Sequence, residues 1–276
     1  LNNYEVLPDY INTMKTDFDA KPRYTDFKND PEGSADKINK WIEKSTKGMI
    51  KKMLTPDAVE NFKMALVNAI YFKQDWKHPF DKELTKKDEF KNLSGAKVDV
   101  DMMHSLRYFK AYEGQHEKVI ELPYEDDKTS MVIILPDNMK KYTLTEKVYS
   151  DVTSQMRHQK VNLDLPKFTF ETPTFELKPY LQQMGLAAAF EDYADFSGMR
   201  KQKDLKIGTA LHKAKIIVNE EGTEAAAATV IGMVKTTSAM PRPEPILPIR
   251  VDKSFYYFIK DNKTGTILFM GRMNEM

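Results

Sequence analysis

The sequence contains no cysteine. This absence excludes disulfides, thiolate zinc sites, iron–sulfur clusters and cysteine nucleophiles together. It leaves the cellular compartment open, because a chain of 276 residues can build a core without covalent cross-links. One large domain or two small ones would fit this length.

The sequence also lacks an excess of charge of either sign and any long apolar run. Lys and Arg number 42 against 41 Asp and Glu, which leaves a net charge of +1. That balance gives no electrostatic footprint for nucleic acid or for an anionic membrane surface. No uninterrupted apolar run approaches the roughly 18 residues of a membrane-spanning helix. We therefore expect neither nucleic acid nor a membrane as a partner.

The first residues carry no recognisable targeting signal. Leu1-Asn2-Asn3-Tyr4 is neither a basic stretch before an apolar one nor a start at Met, so either a signal has been removed or the chain begins part-way into a longer protein. The triplets that begin at Asn92 and Asn262 fit the N-glycosylation pattern. They permit secretion without requiring it.

Catalytic and cofactor-binding motifs are absent from the sequence. There is no dinucleotide-binding glycine motif, P-loop, nucleophile elbow or paired-histidine zinc motif. None of the five histidines stands at metal-ligand spacing from another; they are His78, His104, His116, His158 and His212. We therefore predict that the chain is not an enzyme and needs no cofactor or metal.

Apolar periodicity predicts two long helices among several strands. Residues 34–54 predict an amphipathic helix capped by Ser34, and residues 176–190 predict a second, in which Gly185 could end the helix early. Residues 62–72 are apolar on both faces, which predicts a central strand that places Asn68 in a core. Further strands are predicted at 130–135, 161–170, 255–259 and 267–270. Helices and strands do not alternate regularly, so the predicted fold is α+β with large, mainly antiparallel sheets.

One alanine-rich segment does not fit an ordinary element. Residues 218–230 could form a helix capped by Thr223, with four alanines to extend it. The β-branched and small residues that follow, and the stiff Pro-rich stretch at 241–245, argue against a simple helix. A long segment with few large anchors inside a compact domain is usually functional.

The segment at 219–229 resembles the reactive-loop hinge of inhibitory, arthropod-like serpins. Other serpin-like blocks follow in the family's order and extend over essentially all 276 residues: 38–41, 67–73 with Trp76 and Phe80, 121–124, 130–136, 165–168, 184–186, 195–198 and 269–272. The resemblance implies a single serpin-like α+β domain over residues 1–276, with helices around the sheets and an exposed reactive-centre loop at about 220–246. It also implies that the family's opening helices are missing, so that the domain is truncated at its N-terminus.

The resemblance assigns residues to three functional regions. The hinge is Glu221, Gly222, Thr223, Glu224, Ala225, Ala226, Ala227, Ala228 and Thr229. Asn68 and His212 match positions that hydrogen-bond where the main sheet opens, and Trp76 matches the top of that sheet, where insertion starts. For each of these three residues, ordinary core packing is the alternative.

Alternation along a strand gives the hinge a physical test. Thr223, Ala225, Ala227 and Thr229 would share one face of an inserted strand, where small side chains fit a packed core. Glycine at position 222 would give the pivot its backbone freedom.

The position of the reactive bond is less sharply defined. Counting along the loop places the bond after Thr236, whereas the chemistry of a trypsin-like pocket favours Lys235. We predict Lys235–Thr236 first and Thr236–Thr237 second, with Met233 suited to a chymotrypsin-like pocket.

The resemblance implies the function of the family. We predict a secreted, monomeric inhibitor that traps an extracellular serine protease, most readily a trypsin-like one, as a suicide substrate. One alternative is a non-inhibitory serpin-like carrier or chaperone. The other is an inactive, truncated serpin fragment.

Overall fold

The computed structural model describes residues 5–20, 23–60, 62, 64–223 and 244–276. Among the described residues there are five α-helices: α1 (Pro8–Phe18), α2 (Pro31–Ser45), α3 (Pro56–Val59), α4 (Glu146–Ser154) and α5 (Lys178–Leu181). The strands are β1 (Ala65–Tyr71), β2 (Gln74–Asp75), β3 (Lys86–Lys91), β4 (Lys97–Glu113), β5 (Glu117–Pro123), β6 (Thr129–Pro136), β7 (Arg157–Pro166), β8 (Phe168–Glu171), β9 (Phe175–Glu176), β10 (Thr209–Val218), β11 (Gly222–Thr223), β12 (Leu247–Arg250), β13 (Phe255–Asp261) and β14 (Ile267–Met273).

The first long helix is shorter than the sequence predicts. The α2 helix begins at Pro31 because Asp30 caps it, accepting a hydrogen bond from the Gly33 amide at 2.9 Å. It ends at Ser45, since Lys47 and Gly48 both have positive φ. The predicted Ser34 cap and the extension to residue 54 are therefore wrong.

The second long helix is broken. The α5 helix gives way to a single π-helical turn over Gln182–Leu186, and a 3₁₀ helix follows over Ala187–Phe190. Gly185 has a φ of 97°, a conformation that a continuous α-helix does not allow. The prediction that Gly185 could end the helix is confirmed.

The chain divides into two compact units, which we describe separately. The first comprises residues 1–71 and 170–215. In it β1 runs parallel to β10 with Asn68 opposite His212, and β9 pairs antiparallel with β10. The helix α2 packs Ile42 against Ile50 and Met53. The prediction of one domain stays a prediction.

One face of β1 is open among the described residues. Leu66 and Asn68 are exposed on that face, whereas the neighbours of opposite parity, Val67 and Ala69, pack against the core clusters beside α2. The prediction that both faces are buried is therefore wrong for the Asn68 face, because no described residue packs over it.

The second unit comprises residues 72–169 and 216–276 and holds the larger sheet. Its strands follow the order β12-β7-β4-β5-β6-β13-β14, with β3 also paired to β4. Val119, Val132 and Phe258 form part of a core cluster with Val152 of α4. Most pairs are antiparallel, and β12 with β7 is a parallel exception. The predicted α+β class with mainly antiparallel sheets is confirmed.

Candidate functional site

The first residues of the predicted hinge lie in the second unit and form the two-residue strand β11. Strand β11 pairs antiparallel with β2 on one side, Gly222 opposite Asp75 and Thr223 opposite Gln74. On the other side Thr223 pairs with Val218 of β10. The hinge therefore begins as a strand between two others.

Asn219 makes the reversal between β10 and β11 possible. Its side-chain Oδ1 accepts hydrogen bonds from the backbone amides of Glu221 and Gly222, both at 3.1 Å. The backbone amide of Asn219 donates a hydrogen bond to the Gly222 carbonyl at 2.9 Å. This is the local side-chain-to-backbone bonding for which Asn is favoured in turns.

Trp76 ties this turn to the rest of the unit. Its indole Nε1 donates to the Asn219 carbonyl at 2.9 Å, and its backbone amide donates to the Glu221 carbonyl at 2.8 Å. The indole stacks on Tyr124 with centroids 4.6 Å apart and an interplanar angle of 8°. The structure thus places Trp76 against the start of the hinge, which fits the assignment made from the sequence.

Glu220, the residue directly before the predicted hinge, is anchored through its buried carboxylate. Glu220 accepts a hydrogen bond from the Thr85 hydroxyl at 2.9 Å and pairs with the Lys167 ammonium at 3.1 Å. Burial raises the pKa of Glu220, but its own backbone amide, Thr85 and Lys167 outweigh that effect and hold the pKa below the ordinary value. Glu220 is therefore ionised and anchored at neutral pH.

The side chain of Thr223, in the predicted hinge, contacts the buried Tyr124. Thr223 is fully buried, and its hydroxyl lies 2.8 Å from the hydroxyl of Tyr124. Burial raises the pKa of the Tyr124 phenol, so this group stays neutral. Both hydroxyls are satisfied by each other in an otherwise apolar setting.

Gly222 is required by close packing. Its φ is not among the positive values of the chain, but an added Cβ would collide with the Gln74 carbonyl and the Asp75 backbone. The sequence-based argument gave Gly222 a role in backbone freedom. The structure adds a steric reason at the same position.

A groove lies beside the start of the predicted hinge. A groove of about 550 Å³ is lined on one side by Phe168 and Thr169 and on the other by residues 217–221. Glu221 also pairs with the Lys82 ammonium beside this groove. The hinge start is therefore held by polar contacts with open volume next to it.

Asn68 and His212 lie together in the first unit, as paired residues of β1 and β10. Neither side chain makes a hydrogen bond to a described residue. His212 meets the Phe175 ring edge-on at 5.2 Å, and burial lowers the pKa of its imidazole. The structure brings these two residues together, and their hydrogen-bonding role stays a prediction.

The remaining predicted site residues lie outside the described residues. They are Glu224, Ala225, Ala226, Ala227, Ala228 and Thr229 of the hinge, Lys235, Thr236 and Thr237 at the reactive bond, and Met233.

Within the described ranges, no group of three or more His, Asp or Glu residues is placed to bind a metal ion. Nor does any helix in that part of the chain combine the length and apolar character needed to cross a bilayer.

With this geometry in place, comparison with known proteins identifies the family. A profile described as serpin (serine protease inhibitor) matches residues 1–276. The chain belongs to the serpin family. It is 37% identical over 282 residues to human serpin B4, covering 99% of this chain and 71% of that protein. It is 38% identical over 280 residues to an uncharacterized serpin-like protein of Methanosarcina mazei, covering 98% of this chain and 64% of that protein.

Solved structures agree with the fold. A crystal structure of Serpin48, described as a highly specific serpin in the insect Tenebrio molitor, superposes with a TM-score of 0.83 at 31% identity. It covers 99% of this chain and 73% of that one. The serpin-like fold inferred from the sequence is confirmed, and this serpin chain spans about two thirds of the length of its curated relatives.

Three residues of the hinge network escaped sequence reasoning. Tyr124 and Lys167 stand inside serpin-like blocks, but the sequence gave no sign that they contact the hinge. Glu220 stands directly before the residues assigned to the hinge, and the sequence gave no sign that its carboxylate is buried. A carboxylate directly before a tight turn could have signalled a buried anchor, although many exposed carboxylates share that pattern.

Proposed function

We propose that this serpin inhibits a serine protease as a suicide substrate, with residues 221–229 as the inserting segment. The observation that carries the proposal is the position of β11 between two strands: Gly222 and Thr223 pair with β2, and Thr223 also pairs with β10. Insertion then extends a strand that has already begun.

The sequence beyond Thr223 suits that extension. Thr223 faces inward and is fully buried. Side chains alternate along a strand, so Ala225, Ala227 and Thr229 would follow Thr223 on the buried face. All are small, whereas a large or charged side chain at these positions would cost about 1–3 kcal/mol or more in overpacking and desolvation.

Insertion exchanges one kind of strand pairing for another. Strand β1 pairs parallel with β10 from Ala65 opposite Thr209 to Tyr71 opposite Lys215. A strand that continued β11 between them would run antiparallel to both. Antiparallel pairing is slightly more stable per residue, and the new strand is hydrogen-bonded on both sides. This difference supplies part of the driving force.

The trap follows from a competition between two steps. The protease serine attacks the carbonyl of the reactive bond, an acyl ester forms, and the new amino terminus leaves. Insertion of the hinge then drags the acylated protease and distorts its catalytic geometry before water can hydrolyse the ester. The reactive bond we propose is Lys235–Thr236, with Thr236–Thr237 second.

The partner and setting belong to the same proposal. A Lys before the bond suits a trypsin-like pocket with a buried carboxylate, and Met233 would suit a chymotrypsin-like one. We place the monomeric protein outside the cell, where the acceptor triplets at Asn92 and Asn262 could be used.

Incubation of the full-length protein with trypsin tests this function. We expect a complex that survives SDS, and mass spectrometry of the released peptide should show a new amino terminus at Thr236. Lys235→Gln should abolish that cleavage, whereas Lys263→Gln on an exposed turn should not. Loop cleavage without complex, together with unchanged thermal stability, would instead support a non-inhibitory serpin or an inactive fragment.

A further inference from the structure

Two turns of the second unit carry the acceptor pattern for an N-linked sugar, and they differ in exposure. Asn262 follows β13 directly, and all three residues of its triplet, Asn262, Lys263 and Thr264, are exposed. Asn92 follows β3 directly, and both Asn92 and Leu93 are half-buried. An N-linked sugar chain is bulky and hydrated, so it belongs on a residue that the fold leaves at the surface.

The turn after β13 forms without the side chain of Asn262. The Asp261 carboxylate accepts hydrogen bonds from the Thr264 amide at 2.7 Å and from the Thr264 hydroxyl at 2.8 Å. It also accepts one from the Lys263 amide at 3.1 Å, and the Gly265 amide donates to the Asp261 carbonyl at 2.9 Å. Gly265 has a φ of 74°, a left-handed conformation that glycine adopts without strain. A substituent on the Asn262 side chain therefore leaves the bonds that shape this turn intact.

The side-chain amide of Asn262 keeps one N–H donor unpaired. An asparagine amide carries two N–H donors on its Nδ2 atom. Nδ2 of Asn262 donates to the Asp127 carbonyl at 3.2 Å, and its second donor meets no hydrogen-bond acceptor among the described residues. When a sugar replaces one hydrogen, the other can still donate to Asp127. Modification of this atom therefore sacrifices no hydrogen bond between described residues.

The Asn92 triplet is held by a segment that packs against its turn. Oδ1 of Asn92 accepts a hydrogen bond from the Met276 amide at 3.1 Å, and the Leu93 amide donates to the Asn274 carbonyl at 2.8 Å. Residues 274–276 thus engage the first two residues of this triplet. A sugar on Asn92 would have to project past that segment, and displacement of the segment would break both bonds. The fold therefore favours Asn262 over Asn92 as an acceptor.

We propose that Asn262 is an N-glycosylation site of this serpin and that Asn92 stays unmodified. The sugar donor is an oligosaccharide linked to a lipid pyrophosphate, and a transferase moves the oligosaccharide to Nδ2 of Asn262. The bond between the first sugar carbon and the phosphate oxygen breaks, a bond from that carbon to Nδ2 forms, Nδ2 loses a proton, and the lipid pyrophosphate leaves. Because this donor serves chains that enter the secretory route, the inference rests on the extracellular setting in the proposed function.

Peptide mapping of the full-length protein from cultured eukaryotic cells tests the site. The protein is expressed once with its own N-terminus and once behind an added cleavable signal peptide. After treatment with an amidase that removes N-linked sugars and converts the linked asparagine to aspartate, we expect that conversion at Asn262 and not at Asn92. Thr264→Ala should abolish the modification, whereas Thr264→Ser, which keeps the hydroxyl of the acceptor pattern, should retain it.

Two asparagine variants form a matched pair. Asn262→Gln should remove the sugar and increase the mobility of the protein on a gel, whereas Asn92→Gln should leave the mobility unchanged. Because Asn262 lies on an exposed turn, the reaction of Asn262→Gln with trypsin should stay within about twofold of wild type.

The outcomes separate this site from the proposed function. If the protein with its own N-terminus stays inside the cell while the form with the added signal peptide carries a sugar at Asn262, the extracellular setting is rejected and the acceptor site stands. A sugar at Asn262 without a covalent trypsin complex rejects inhibition alone. If the form with the signal peptide is secreted with Asn262 unmodified, the site is rejected whatever its reaction with trypsin. A sugar at Asn92 would overturn the preference for the exposed turn.

Discussion

Two regions that the sequence linked to loop insertion differ sharply in their contacts. At the predicted hinge start, Trp76, Tyr124 and Thr223 are buried and joined by stacking and a hydrogen bond, and the buried Glu220 is held by Thr85 and Lys167. At the β1–β10 pair, Asn68 is exposed and makes no side-chain hydrogen bond to a described residue. The first region is therefore held by a buried polar network of side chains, whereas at Asn68 the second has backbone pairing without a side-chain hydrogen bond to a described residue.

Under the proposed mechanism, this difference indicates which residues would control insertion. Backbone pairing can exchange one strand for another with little net change, because lost hydrogen bonds are replaced. A buried polar network is harder to exchange, since each group must find a new partner. We therefore expect substitutions at the hinge start to have large effects and substitutions at Asn68 to have small ones.

The largest effect is expected from Thr223→Glu. A carboxylate in this fully buried position, beside the Tyr124 hydroxyl, would cost several kcal/mol unless the hinge withdrew. We expect the variant to be cleaved as a substrate with no SDS-stable complex. Thr266→Glu on an exposed turn is the matched control and should inhibit normally. Normal inhibition by Thr223→Glu would show that this position is not part of the inserted strand.

Gly222→Ala should follow in size. The added methyl collides with the backbone of Gln74 and Asp75, so we expect a loss of about 1–3 kcal/mol in the free energy of unfolding. Gly198→Ala is the control, because nothing lies within 4 Å of the added atom. Denaturant unfolding measures both. Equal stability of the two variants would contradict the close approach at Gly222.

The Tyr124–Thr223 hydrogen bond should contribute about 1 kcal/mol. A double-mutant cycle with Tyr124→Phe and Thr223→Val isolates that term, since each change keeps the side-chain volume nearly constant. We expect each single variant to lose stability and the double variant to recover part of the loss. A coupling energy of zero would mean that the two hydroxyls do not interact.

Acid should loosen the hinge through Glu220. Its pKa in the folded state lies below the ordinary value of 4.5, because hydrogen bonds outweigh burial. A lowered carboxyl pKa contributes stability that is present above the unfolded value and is lost as pH falls through the folded one. Below about pH 4.5 we expect lower hydrogen-exchange protection factors at residues 219–223, after correction for the intrinsic pH dependence of exchange. The Glu220→Gln variant should show low protection factors there at neutral pH and lose this pH dependence; an unchanged profile would reject the anchor.

The sequence predicted the architecture better than it predicted the contacts. Periodicity located several of the strands, and the serpin-like blocks matched Trp76 to the top of the main sheet, because those signals are local or shared by the family. They could not place Lys167 and Tyr124 at the hinge, since both are far from it along the chain. The assignment of Gly222 to the hinge stays a prediction, and its close contact with the neighbouring strand could not be inferred from the sequence, because that strand is far away along the chain.

Burial was the weakest inference from the pattern. An apolar run on both faces of a strand predicts cover on both sides, yet the described residues leave Leu66 and Asn68 exposed. A pattern reports what a strand can pack against. It does not report whether any of the described residues packs on that face of the strand.

Asn68→Ala is expected to have the smallest effect on stability. It tests the comparison at the region where no side-chain hydrogen bond is made by the substituted residue. In the polypeptide of residues 1–276, Asn68→Ala removes an exposed amide with no hydrogen bond to a described residue, so we expect a change below about 0.5 kcal/mol in the free energy of unfolding. Asn39→Ala is the matched control in the same unit. The Asn39 amide donates to the Leu54 carbonyl at 2.8 Å and accepts from the Met53 and Leu54 amides, both at 3.0 Å.

Loss of these bonds leaves backbone groups unsatisfied, which should cost about 1–3 kcal/mol. Equal losses in the two variants would mean that Asn68 is bonded as firmly as Asn39. The contrast between the hinge start and the β1–β10 pair would then fail, because side chains would hold both.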